Sequence, residues 1–384
     1  MGPRHKGEGT EKIGRPVRNH GPQHRRVALG PAFRYTPAGM TIEFSAWPRF
    51  PRPMMSFLLR RWPIAAALIT ATTALSACQP QAPEPKALDP AVAWAFPGEG
   101  AAAPEPAAST VQHLPDAEAT FTQGQIEDLF HAVDWRPAEH PAAPAAVVSG
   151  KQPDAMACGY CHLMTGMGRP ENAALAGMPA DYIVRQVTEL RSGDRISPSA
   201  NWAPAALMRQ TAHGVSDADL ASAGAYFAAL RFAGHVQVVE SAQPPKAVAA
   251  DFVYRFDGKA PPEPIGARIL EGPSDLSRFE RRDPDTAYIA YVPPGSLAKG
   301  ATLAKRGDSQ ARPCVSCHGP ALTGTPVAPP IAGRSPTYIF RQLYAFKAGA
   351  RNGTLAEPMK SVVGQLSTAD MIALAAYVGS QPAR

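Results

Sequence analysis

Two copies of Cys-x-x-Cys-His, Cys158 to His162 and Cys314 to His318, constrain this chain more than anything else in its 384 residues. The spacing is what covalent attachment of a c-type haem needs. Two thiols add across the two vinyl groups of one porphyrin edge, and the adjacent imidazole is held under the iron as proximal ligand. A structural disulfide, a thioredoxin-like redox pair or half of a zinc site would use the two cysteines and leave the histidine without a part. Zinc would need a further Cys or His pair at ligand spacing, and a redox pair would open a helix within a βαβ pattern. The sequence offers neither context, and four of its five cysteines lie in the two motifs. It therefore predicts two covalently bound haem c groups, attached through Cys158, Cys161, Cys314 and Cys317, with His162 and His318 on the irons.

The motifs belong to an internal repeat. A shift of 156 positions superposes Cys158, Cys161 and His162 on Cys314, Cys317 and His318 and continues without a gap to Arg195 on Arg351. Ala176-Gly177 falls on Ala332-Gly333, Tyr182-Ile183 on Tyr338-Ile339, Arg185-Gln186 on Arg341-Gln342 and Gly193 on Gly349. Beyond Arg195 the offset drops to 151, and Ser216, Asp219 and Tyr226 meet Ser367, Asp370 and Tyr377.

Periodicity within each copy is helical. Ile183, Val187 and Leu190 form one stripe, and Leu220, Ala223 and Phe227 another. Ser216 and Ser367 are expected N-caps, and Gly300 is small enough to let a helix over 296–306 cross another closely. The expected fold is mainly α, with two homologous lobes, residues 116–235 and 295–384. Between them 236–294 reads as a connector with short strands at Val236 to Val239, Phe252 to Phe256 and Tyr288 to Val292. Lobes this small make weak cores, and a flat apolar porphyrin would supply buried surface.

What fills the sixth position on each iron decides between carrier and catalyst. Met208 and Met359 each lie eight residues before the serine cap, so they superpose across the gap. A thioether is a soft neutral donor that favours ferrous iron, which makes these two the expected distal ligands. Met371, opposite Leu220, reads as core, His213, opposite Gly364, as surface, and Met164, Met167 and Met178 as packing. Arg185, Arg341, Arg195 and Arg351 recur in both copies and suit haem propionates, the alternative being solvated helix faces; Tyr182 and Tyr338 either join them or pack.

The attachment motif, the Ala-Gly turn, Tyr-Ile-x-Arg-Gln and the late Met before a terminal helix resemble the tandem two-haem class I c-type cytochromes, over roughly 150 to 232 and 295 to 384. The resemblance implies that each lobe is a class I cytochrome c domain and that electrons pass between neighbouring haem edges. Two departures stand out. Pro329 before the second Ala-Gly turn has Ala173 opposite it, and Gly319 has Leu163. They bear on the proximal hydrogen bond and exposure of the first site and predict unequal potentials.

The fifth cysteine, Cys78, closes Leu75-Ser76-Ala77-Cys78 after Arg60, Arg61 and an apolar run from Ile64, the order of an export signal. The box resembles that of bacterial lipoproteins, which implies a signal peptide over 54–77 and a lipid anchor on Cys78; Gln79 after it implies the outer membrane, facing the periplasm. An ordinary signal peptide and an uncleaved anchor helix are the alternatives. Residues 1–53 read as an over-extended start or a disordered tail, and 78–115, dominated by Ala, Pro and Glu, as a flexible tether. The first 53 residues hold ten Lys or Arg against three Asp or Glu, so without them and Arg60 and Arg61 the overall +6 becomes about −3. Basic charge is thus no argument for nucleic acid. The expected partners are redox proteins or a membrane-bound oxidoreductase complex, and the expected function is single-electron transfer rather than catalysis. Its rivals are an electron-accepting subunit of a dehydrogenase or oxidase and a dihaem peroxidase, which needs an open sixth position. A gas sensor would further need an output module.

Overall fold

The computed structural model describes residues 87–100, 106–307 and 312–383. The segments 1–53 and 54–77, and Cys78 itself, lie outside them. From residue 87 onward the described chain forms one compact unit.

The stretch read as a flexible tether is packed from its first described residues. Pro90–Ala95 is a 3-10 turn capped by Asp89, whose carboxylate accepts the Ala91 N–H at 2.9 Å. Val92 and Ala95 are fully buried, and the Trp94 ring lies 4.5 Å from that of Phe340. Three apolar anchors within six residues suffice to pin a segment whose average composition looks like linker. Strand β1 (Val111–His113) then pairs antiparallel with β2 (Thr120–Thr122), so the folded body also begins before residue 116.

Ile126, Leu129, Phe130 and Val133 recur at helical spacing, yet only one turn forms, α1 (Gln123–Ile126). Asp128 accepts the Phe130 N–H at 2.8 Å, a local bond that competes with helix continuation. Ala132 N–H goes instead to Val148 O, at the end of α2 (Ala145–Val148).

The first copy of the repeat contains α3 (Cys158–His162), α4 (Ala180–Ser192), α5 (Ala203–Gly214) and α6 (Asp217–Ala229). Five strands follow, β3 (Val236–Glu240), β4 (Lys246–Ala250), β5 (Val253–Asp257), β6 (Leu270–Pro273) and β7 (Tyr288–Val292), with α7 (Leu276–Glu280) before the last. They make a three-stranded sheet in the order β3-β7-β6 and a β4-β5 hairpin. In the sheet β3 runs parallel to β7, Val236 opposite Tyr288, and β6 antiparallel to it, Leu270 opposite Tyr291. The second copy contains α8 (Ser296–Arg306), α9 (Val315–His318), α10 (Pro336–Lys347), α11 (Glu357–Val363) and α12 (Thr368–Ser380).

Both serine caps form. Ser216 Oγ accepts the Asp219 N–H, and Ser367 and Asp370 make a reciprocal capping box at 3.1 and 2.9 Å. Gly300 sits where α8 meets α12, and a Cβ there would lie 2.0 Å from Ala373 O. The Ala-Gly turn of each copy is tied to its terminal helix by one bond, Gly177 N–H to Phe227 O at 3.1 Å and Gly333 N–H to Val378 O at 2.9 Å.

His235 enters the sheet between the rings of Phe232 and Tyr288, with its Nδ1 buried and without a partner among the described residues. Burial holds this imidazole down at about 4. An unfolded histidine takes its proton near 6.5, so as pH falls through that value the unfolded chain gains the proton first and stability drops, levelling below about pH 4. We expect a loss of about 2 kcal/mol across this window, allowing for the ring's partial exposure, and its absence in H235Q, measured by denaturant unfolding at several pH values. Backbone on both sides leaves no room to yield at the α8 and α12 crossing, so G300V should lose about 3 kcal/mol in the same assay.

Candidate functional site

Each attachment motif forms a short helix with its histidine at the end. His162 and His318 are 8% exposed. Nδ1 of His162 lies 2.7 Å from Ala173 O, and Nδ1 of His318 lies 2.8 Å from Pro329 O. A carbonyl only accepts, so Nδ1 carries the hydrogen and Nε2 keeps a lone pair free for a metal. Burial pushes both imidazoles below the usual histidine range, toward the neutral form that can ligate. The exchange of Pro329 for Ala173 therefore leaves the proximal bond of the first site intact, because the acceptor is the backbone.

The loops below the histidines close through the same bonds in both copies. Gly168 N–H meets His162 O at 3.0 Å, and Gly324 N–H meets His318 O at 2.9 Å. Leu175 and Ala176 N–H converge on Gly166 O as Ile331 and Ala332 N–H do on Leu322 O. Left-handed backbone also recurs, with Leu163 at φ 62° opposite Gly319 at 82°, and Gly166 at 69° opposite Leu322 at 58°. Each copy places glycine at one of the two positions and leucine at the other.

The thiols Cys158, Cys161 and Cys314 are half-buried, Cys317 is exposed, and none is in a disulfide. Burial raises Cys158 to about 12 and Cys314 to about 11, holding both as neutral thiols. Among the described residues no three His, Cys, Asp or Glu gather as a metal-binding group of the kind a zinc site needs. Two unpaired thiols beside one imidazole with a free Nε2, twice over, is the donor set that fits haem c.

Met208 lies on α5 against Val187, Leu220 and Ala212, and Met359 lies half-buried on α11 against the core of the second copy. Met371 is core at 1% exposure, Met164, Met167 and Met178 are buried in the first copy, and His213 is exposed.

The recurring arginines separate into two kinds. Arg185 lies 3.6 Å from Asp181 and 5.6 Å from the Tyr182 ring. Its counterpart Arg341 is buried, donates to Ala95 O and Pro170 O, and lies over the Trp202 ring, so its groups are spent on protein. Arg195 and Arg351 come together instead. Their backbones form an antiparallel bridge, and both guanidiniums donate to the amide oxygens of Gln186 and Gln342. Neither has a carboxylate within 4 Å among the described residues, and Arg351 Nε is buried without a partner. Burial would raise the Tyr182 phenol, but Arg351 and Arg195 beside it pull it below its usual range; the Tyr338 hydroxyl also lies beside Arg195. Two adjacent cations held only by neutral acceptors fit an anionic group, as propionates are. The pairing of Gln186 with Gln342 across the copies was not visible in the sequence, although both stand in the repeated Arg-Gln dipeptide.

The family model of cytochrome c matches residues 297–382. Cytochrome c-554(548) of Halomonas halodenitrificans (strain ATCC 12084 / NCIMB 8669) is 35% identical over 79 residues, which cover 20% of this chain and 95% of that protein. The chain belongs to the cytochrome c family. Two longer likenesses take in more of this cytochrome: a thiosulfate dehydrogenase electron acceptor from Thiomonas intermedia (strain K12), 27% identical over 246 residues, and cytochrome c4 of Azotobacter vinelandii, 27% over 244. These cover 63% and 62% of the chain and 85% and 90% of the relatives.

Gln186 Oε1 accepts from both arginines and is buried, so Q186L should cost about 3 kcal/mol by leaving charged donors unmet. Denaturant unfolding of the haem-loaded protein, compared with the conservative Q186E, checks it, with Q186E expected to retain or exceed the starting stability.

Proposed function

We propose that this chain is an exported two-haem cytochrome that carries single electrons between redox proteins, with one class I cytochrome c lobe and one haem per copy of the repeat. The observation that carries the reading is the duplicated proximal arrangement, a buried imidazole fixed through Nδ1 on a loop closed by the same backbone bonds at a constant offset of 156. When bound, the haem iron supplies one-electron chemistry by changing between ferric and ferrous.

The rest is done by the chain. Cys158, Cys161, Cys314 and Cys317 hold the groups covalently, His162 and His318 present Nε2, and Met208 and Met359 offer thioethers that favour the reduced state. Arg195 and Arg351, between the copies, neutralise propionates; Tyr182 and Tyr338 stand beside them. Arg185 faces solvent with Asp181, and Arg341 holds the N-terminal segment. Export follows from the signal over 54–77 and anchoring in the outer membrane, facing the periplasm, from a lipidated Cys78.

A second reading is favoured by the likeness to a thiosulfate dehydrogenase electron acceptor, namely that this chain accepts electrons as the partner subunit of a dehydrogenase. The two readings share the site and differ only in the donor. A dihaem peroxidase is disfavoured by a methionine available to each iron.

Haem quantification of the purified chain should give two haems per polypeptide, with low-spin spectra throughout. M208A and M359A should each leave about half the iron without its sulfur ligand, seen as loss of half of the methionine-to-iron charge-transfer band. One haem per chain, or a high-spin or bis-histidine signal in the unmodified protein, would overturn the reading.

A further inference from the structure

The two attachment motifs share their backbone bonds but not their surroundings. Tyr160, inside the first motif, is covered by Arg282, which follows α7 in the stretch between the copies. The Arg282 guanidinium lies 3.5 Å over the Tyr160 ring, donates from Nε to Ile126 O and from Nη1 to Tyr160 O, both at 3.2 Å, and donates from Nη2 to the Tyr160 hydroxyl. These partners are all neutral. Among the described residues no carboxylate lies within 4 Å of Arg282, and the nearby Glu171 is spent on Arg169 at 2.8 Å.

The backbone agrees that this placement is specified. Arg282 sits at φ 56°, left-handed backbone that costs a non-glycine residue about 1 kcal/mol and marks positions where the surroundings insist on one geometry. The residue is half-buried, and burial pushes its guanidinium below the usual arginine range, so its charge is poorly screened.

Among the described residues nothing similar stands at the second motif. Ser316 replaces Tyr160, is exposed, and donates to Pro313 O. Thr325 and Val327 replace Arg169 and Glu171, Val327 being 84% exposed, and Cys317 is exposed where Cys161 is half-buried.

We propose that Arg282 is a tuning residue that places an unneutralised positive charge against the thioether edge of the first haem alone, raising that haem's potential and closing its edge to partners. A cation beside an iron stabilises the state with the extra electron, and the effect grows as water is excluded. The edge left open is the second one, around Cys317 and Val327, so exchange with partner proteins runs through the second haem. This rests on the two-haem reading above.

The test is a spectroelectrochemical titration of the full haem-loaded chain and of R282Q and R282K, with M359H marking the second haem by lowering only its potential. R282Q should keep two haems and lower the reduced-to-oxidised ratio of the first haem about tenfold at fixed applied potential, about 59 mV for one electron, while leaving the second unmoved. R282K, which keeps the charge, should stay within about threefold of the unmodified protein. An unchanged first haem in R282Q, or an equal fall in R282K, overturns the proposal. Should R282Q not assemble, R282M, which removes the charge and keeps an unbranched stem over the Tyr160 ring, takes its place with the same expected fall and the same overturning result. Fewer than two haems in the unmodified chain would sink the two-haem reading instead.

Discussion

A hydrogen bond from a buried imidazole Nδ1–H to a carbonyl eleven residues further along fixes each copy of the repeat. It settles the tautomer and aims Nε2, and it requires the intervening chain to turn back on itself within a few residues. That turn needs positive φ at three points, the last of them glycine in both copies, and glycine adopts it freely where leucine does so only at about 1–3 kcal/mol. Each copy still spends a leucine at one of them, Leu163 in the first and Leu322 in the second. Both are buried, at 4% and 1% exposure, and burying a leucine gains roughly 1.5–3 kcal/mol, which offsets the strain. The interchange of glycine and leucine between copies is therefore neutral for the loop.

Identical loops are then dressed differently by arginines that act as staples. Arg334 donates to Pro330 O within its own copy and to Ala174 O and Ala176 O of the other, and is almost fully buried. Arg341 holds the N-terminal turn through Ala95 O and the first copy through Pro170 O. Arg282 joins the middle stretch to the first motif through two carbonyls and a phenol. A planar fork with five donors can serve several backbone carbonyls from distant segments at once, which a lysine cannot do with the same geometry. Arg334 and Arg341 thus cross between the copies, as Arg195 and Arg351 do through Gln342 and Gln186, while Arg282 ties the middle stretch to the first copy.

Much of the helical frame was legible in the sequence. Ser216 and Ser367 as caps, Gly300 at a close crossing, Met371 as core and strands near Val236, Val253 and Tyr288 all depend on local chemistry or short periodicity. What escaped depends on distant partners. Trp94 and Phe96 look like stray aromatics in an Ala- and Pro-rich stretch until Phe340 and Trp202 are seen against them. Arg185 and Arg341 are equivalent by offset, yet only Arg341 finds carbonyls from the N-terminal turn, so the same dipeptide ends on a solvated face in one copy and buried in the other. Strands β4 and β6 escaped for a related reason: Lys246 to Ala250 alternates only weakly, and Leu270 to Pro273 carries a glycine and a proline.

The Arg195 and Arg351 pair shows where the protein alone is electrostatically incomplete. Like charges side by side repel, and the amide oxygens of Gln186 and Gln342 supply dipoles rather than countercharge. Because each guanidinium donates to the glutamine of both copies, an anion brought in by one copy is felt by the arginine of the other. Two haems resting propionates on such a shared pair would not titrate independently: an electron added to one makes its surroundings more negative and raises the energy of adding a second to its neighbour. Arg282 acts in the opposite sense, since its contacts lie in the first copy and the middle stretch alone. With two haems in place, coupling at the shared face and bias at one outer edge would fall to different arginines, so that the potentials of the two sites could be separated without loosening the contact between the copies.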